Sequence, residues 1–74
     1  MAVKYTKLFK RLLDMDIKKL AFAEMVGISG ATLAKLSGNK YVALDVVEKI
    51  CLKLDCTPND ILEFVHGSDT GAGQ

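Results

Sequence analysis

Residues 26–39 constrain this chain more than any other stretch: Val26-Gly27-Ile28-Ser29-Gly30-Ala31-Thr32-Leu33-Ala34-Lys35-Leu36-Ser37-Gly38-Asn39. Gly27 suits the left-handed residue that closes a helix, because it has no Cβ to meet the neighbouring carbonyl. Ser29 has the side chain of an N-cap, an oxygen that accepts a bond from a backbone N–H two or three residues ahead. From Gly30 onward, Leu33 and Leu36 fall on one side of a helix, while Ala31, Ala34 and Lys35 fall on the other. Gly38-Asn39 ends it. The pattern reads as a helix end, a tight turn and a second short helix. Its outer face is small and carries one long cation, so it can lie close against a partner surface.

Seventy-four residues, half of them hydrophobic, provide for one small domain with a thin stability margin. The net charge of +1 argues at first against a nucleic-acid partner, but its distribution does not. Residues 1–40 carry eight basic side chains against three acidic ones, a balance of +5; residues 41–74 carry two against six, a balance of −4. Such a split predicts one face for an anion and another turned away from it. No apolar run is long enough to cross a bilayer and no secretory leader is evident, so a cytoplasmic protein without a membrane partner is expected. Cys51 and Cys56, with His66 further on, lack the number and spacing of zinc ligands, and buried reduced thiols are expected instead.

Along the chain, residues 1–5 alternate in part and suit an ordered arm or a short strand, with Val3 and Tyr5 on one side. Thr6 is positioned to cap a helix over 6–14, whose apolar stripe is Leu8, Phe9, Leu12 and Leu13. A second helix is predicted over 17–26, with Asp16 as the best capping residue; a cap at Lys18 would be poor for the helix and good for an anion. This helix is apolar nearly all round, with Phe22, Ala23 and Val26 facing the turn and Leu20 and Met25 left over. The third is predicted over 30–37 and the fourth over 44–54, the latter with Leu44, Val47, Ile50, Cys51 and Leu54 inward. Thr57-Pro58-Asn59-Asp60 is a helix-start signal: a hydroxyl, proline at the first helical position and an acid three residues after the cap. It predicts a fifth helix over 58–65 that buries Ile61, Leu62 and either Phe64 or Val65. Residues 1–66 are thus expected to form the domain and 67–74, with no apolar residue larger than Ala72, a disordered tail.

Two helices joined by a short glycine-bearing turn are the unit that places a helix in the DNA major groove. The chain resembles the Cro and phage-repressor class of helix-turn-helix regulators, also called XRE-like, and most of all its short single-domain bacterial and phage members. The likeness rests on residues 22–29 (Phe-Ala-Glu-Met-Val-Gly-Ile-Ser) and 32–36 (Thr-Leu-Ala-Lys-Leu). It continues through residues 44–51 (Leu-Asp-Val-Val-Glu-Lys-Ile-Cys) and 56–64 (Cys-Thr-Pro-Asn-Asp-Ile-Leu-Glu-Phe), and covers residues 3–65. The resemblance implies an all-α, five-helix, lambda-repressor-like domain. Its third helix would enter the major groove of double-stranded DNA, and a homodimer, usually a repressor, would bind. Two departures stand out: Gly30 and Ala31 where members commonly carry polar or basic side chains, and Lys18-Lys19 where a small hydroxyl and a glutamine are usual.

Within that frame, Lys18 and Lys19 at the start of the second helix, and Ser29, Lys40 and Tyr41, are expected to contact phosphates. For base contact the choice is narrow. Lys35 is the only long donor on the outer face and suits guanine O6 and N7, and Ala31 suits a thymine methyl. Gly30 lets the helix end approach closely, and Thr32 lies between face and core. One such donor predicts modest specificity per subunit. The alternative is a protein–protein interaction module on the same fold, for which the low net charge and Gly30-Ala31 argue. No catalytic pairing involves the lone His66, and no phosphate-loop pattern or metal constellation is present, so neither enzymatic activity, cofactor nor small-molecule ligand is expected.

Overall fold

The computed structural model describes residues 2–65. The chain runs through β1 (Ala2–Lys4), α1 (Thr6–Asp14), α2 (Lys19–Val26), α3 (Gly30–Ser37), α4 (Leu44–Leu54), a 3-10 turn (Pro58–Asp60) and β2 (Glu63–Val65). Among the described residues there are four α-helices, not five. The expected tail at 67–74 and His66 lie outside the described residues.

In α1, Leu8 and Leu12 lie one turn apart and are buried, and Phe9 packs beside them. Leu13, one residue and about 100° further round, does not join the stripe and is 79% exposed. Thr6 is the first residue of the helix and not its cap; Tyr5 holds the cap position, with no side-chain hydrogen bond. Asp16 does not cap α2. It takes a left-handed φ of 58° and is used to close α1, where the Ile17 N–H donates to the Leu12 carbonyl over 2.9 Å. Helix α2 therefore starts at Lys19 with Lys18 in the cap position.

All four helices end in this way. A left-handed residue (Asp16, Gly27, Asn39, Asp55) follows the helix, and the next N–H donates to the carbonyl five residues back. The bonds are Ile17 to Leu12 at 2.9 Å, Ile28 to Ala23 at 3.0 Å, Lys40 to Lys35 at 2.9 Å and Cys56 to Cys51 at 3.0 Å. This six-residue closure satisfies carbonyls that the helix end leaves unpaired and sets the two bonded residues side by side.

Helix α2 packs against α3 and α4, and Phe22, Leu36 and Ile50 belong to the core with no exposed surface. In α4, Val47, Ile50 and Leu54 face inward. Leu44 does not; it lies in the first turn at 84% exposure. Cys51 and Cys56 are free and pack against the core, but they are half-buried where buried thiols were expected.

The start signal at Thr57 operates, yet its helix stops after one 3-10 turn. The Asp60 carboxylate accepts from the Thr57 N–H at 3.0 Å and from its hydroxyl at 3.2 Å. Ile61 drops into the core, and residues 63–65 then pair antiparallel with β1 in the register Ala2↔Val65, Val3↔Phe64, Lys4↔Glu63. β-branched and aromatic residues fit a pleated surface, and β1 offers its ladder. Val65 ends half-buried, and Phe64 stays 54% exposed.

Tyr5 closes the structure. It is 2% exposed, its backbone N–H donates to Asn39 Oδ1 at 3.2 Å, and its phenol donates to the Lys40 carbonyl at 2.7 Å. The residue after β1 thereby holds the α3–α4 connection. Burial pushes the Tyr5 phenol above its ordinary pKa, against a lowering contribution from the Val42 backbone. Tyr5→Phe is expected to cost about 1 kcal/mol in urea unfolding at neutral pH, the usual worth of such a hydrogen bond. A phenol with a raised folded-state pKa contributes stability that is intact below its unfolded value, about 10, and is lost as pH rises from there through the folded value. That alkaline loss should be smaller in Tyr5→Phe, which urea midpoints measured from neutral to alkaline pH will show.

Candidate nucleic-acid interface

The turn between α2 and α3 has the geometry its residues predict. Gly27 closes α2 at φ 85°, where a side chain would be strained. Ser29 is extended, at φ −76° and ψ 164°, and its Oγ accepts from the Thr32 N–H at 3.1 Å. The Ser29 hydroxyl also donates to Thr32 Oγ1 at 3.1 Å, so the two hydroxyls hold each other as well as the helix start. Leu33 and Leu36 anchor α3 in the core, and Gly30, Ala31, Ala34 and Lys35 are exposed. Thr32 is half-buried, between face and core. A Cβ added at Gly30 would meet nothing within 4 Å, so the fold itself does not demand glycine there.

The four lysines expected at the interface lie at two places. At the head of α2, no side chain caps the helix, and Lys18 and Lys19 are exposed beside the free N–H groups. Lys19 is held in place: its ammonium lies 4.7 Å from the centre of the Phe9 ring and 3.5 Å from Ser37 Oγ. It thus spans from α2 to α1 on one side and to the last residue of α3 on the other. A cation over an aromatic face is attracted by the ring quadrupole.

The second place is the tail of α3. The closure that pairs apolar residues at the ends of α1 and α2 here pairs Lys35 with Lys40. Two exposed lysines thus sit at the two ends of one backbone bond. Tyr41 follows directly and is exposed, while the Lys40 carbonyl is engaged by Tyr5.

Every residue expected at the interface is therefore exposed, except half-buried Thr32. The structure joins Ser29 to Thr32, Lys19 to Ser37, and Lys35 to Lys40 through the backbone. Sequence reasoning missed the fixing of Lys19 by Phe9 and Ser37, ten and eighteen residues away, for which no local pattern is a signal. Gly38-Asn39 ends α3 as expected, with Asn39 as its left-handed residue. The bonds from Tyr5 to Asn39 and to the Lys40 carbonyl, 34 and 35 residues away, have no local signal.

Among the described residues, no group of three or more His, Cys, Asp or Glu side chains is arranged to hold a metal. No helix among them is long and apolar enough to cross a membrane. Ser29→Ala removes the α3 cap and its bond to Thr32. It is expected to lower stability by about 1 kcal/mol, read from the urea midpoint at unchanged slope.

Comparison with known proteins agrees with this geometry. A family model for the Cro/C1-type HTH DNA-binding domain matches residues 7–67. The chain is 45% identical over 59 residues to YozG of Bacillus subtilis (strain 168), an uncharacterized HTH-type transcriptional regulator, covering 77% of this chain and 68% of that protein. It is also similar to the crystal structure of the transcriptional regulator VanUg, with a TM-score of 0.81 and 47% sequence identity over 84% of this chain and 83% of that one. The helix-turn-helix of α2 and α3 is thus that of a known class, and the chain belongs to the Cro/C1-type helix-turn-helix DNA-binding family.

Proposed function

We propose that this protein is a transcriptional repressor that binds double-stranded DNA as a homodimer, with α3 lying in the major groove. The observation that supports it is the outer face of α3. Gly30, Ala31, Ala34 and Lys35 stand exposed on a helix whose leucines are anchored, flanked by Lys18 and Lys19 at the head of α2 and Lys40 at the tail of α3. The small side chains allow close approach, and the flanking cations match the spread of charge along a phosphate backbone.

Lys18, Lys19, Ser29, Lys40 and Tyr41 serve the phosphates in this reading. Gly30, Ala31, Thr32 and Lys35 meet the base edges. Lys35 donates to guanine, Ala31 packs on a thymine methyl, and Gly30 brings the helix end near without contributing a contact of its own. Thr32 is half-buried, and because its Oγ1 only accepts from Ser29 its own O–H remains free to donate. With one long donor per subunit, selectivity comes from two half-sites and from DNA shape.

Selection of bound duplexes from a random pool, followed by a salt series on the best one, tests the reading. Affinity should fall steeply between about 50 and 200 mM salt, since phosphate binding releases counterions. Affinity that is flat with salt, or no duplex selected, would overturn it in favour of a protein-binding module. Lys35→Ala should cost about 1–3 kcal/mol on the selected site and relax preference at one position per half-site. Lys18→Ala should weaken all sequences alike and reduce the salt slope by about one per bound subunit.

Gly30→Ala separates stability from binding. The position is open, so the substitution should stabilise the fold by about 0.4–1 kcal/mol, mainly by restricting the unfolded chain. The added methyl should nevertheless weaken DNA binding, as read by gel shift beside a urea titration.

A further inference from the structure

The six-residue closure at the end of α4 pairs the two cysteines. Asp55 takes a left-handed φ of 53°, and the Cys56 N–H donates to the Cys51 carbonyl over 3.0 Å. A closure of this kind brings the side chains of its two bonded residues into contact. At the ends of α1 and α2 the pairs are Leu12 with Ile17 and Ala23 with Ile28, ordinary apolar partners. At α4 the pair is cysteine and cysteine. Both cysteines are free and half-buried, and both line one surface groove with Leu44, Leu52 and Pro58. The groove opens to solvent.

We infer that Cys51 and Cys56 form a reversible dithiol–disulfide site, closed within one chain by a low-molecular-weight disulfide such as oxidised glutathione. The backbone has already closed the short loop that the new bond would span. A disulfide requires α-carbons about 4.4–6.8 Å apart, and a loop whose ends are hydrogen-bonded through the backbone keeps its end residues adjacent. Little else has to move. This inference does not rest on DNA binding.

The step balances as thiol–disulfide exchange. The Cys56 thiol gives its proton to solvent, and its sulfur attacks the glutathione disulfide, forming a mixed disulfide and releasing one glutathione thiolate. The Cys51 thiol then loses its proton, attacks Cys56 Sγ and expels the second glutathione. Two protein thiols are oxidised and one glutathione disulfide is reduced to two thiols. Burial, and then the facing Cys56, push the Cys51 thiol up, and it sits in the last turn of α4 where the carbonyl end disfavours an anion. The exchange balances in the same way with the two cysteines interchanged. In a reducing compartment the pair rests as thiols, and the closed form is a response to oxidation.

The crosslink fastens the end of α4 to the turn leading into Ile61 and β2. Incubating the folded protein in glutathione buffers of graded potential tests it, with intact mass, free-thiol count and thermal melting as readouts. The expected product is a monomer lighter by two hydrogens, with no free thiol, that melts roughly 5–10 °C higher and reverts on adding reductant. Cys51→Ser and Cys56→Ser should each take at most one glutathione and show no such rise. Persistent double glutathione adducts, disulfide-linked dimers or a lower melting temperature of the oxidised wild type would overturn the inference.

Discussion

The helices of this domain are too short to stand alone, and shared burial makes them helices. They run from eight to eleven residues, whereas isolated helices below about 12–15 residues are marginal in water. Leu8, Phe22, Leu36, Ile50 and Ile61 come from five successive segments, and each is fully removed from solvent. Phe22 is the largest of these. Its helix packs against both α3 and α4. Tyr5 then ties the far side shut, joining the strand pair to the connection behind α3 by two hydrogen bonds.

What was legible in the sequence was what local chemistry decides. Gly27 and Ser29 announce a helix end and a helix start within three residues, and the structure has both. Thr57 and Asp60 likewise form the start motif that their spacing predicts. The length of the element that follows was not legible. Ile61, Leu62, Phe64 and Val65 fit either a helix or a strand by pattern, as short apolar runs do. The choice falls to β1, some sixty residues away in the chain. Leu13 and Leu44 mislead for another reason: each lies near the end of its helix, just outside the arc that the core covers.

At the candidate interface the residue types were readable and their arrangement was not. Lys18, Lys19, Lys35 and Lys40 appear in the sequence as dispersed charges on a chain of net +1. Helix closure joins the backbones of Lys35 and Lys40, and tertiary packing carries Lys19 to Phe9 and Ser37. One backbone device thus recurs with different side chains along the chain: apolar pairs at the ends of α1 and α2, lysines at the end of α3 and cysteines at the end of α4.

The seating of Lys19 between an aromatic ring and a hydroxyl has an entropic consequence. An exposed lysine has about 2 kcal/mol of rotamer freedom, much of which it forfeits when it is immobilised against an anion. This stem is already ordered by its neighbours. An anion arriving at the head of α2 therefore meets a charge that has little rotational freedom left to lose, and the attraction is opposed by a smaller ordering cost than at Lys18 next to it.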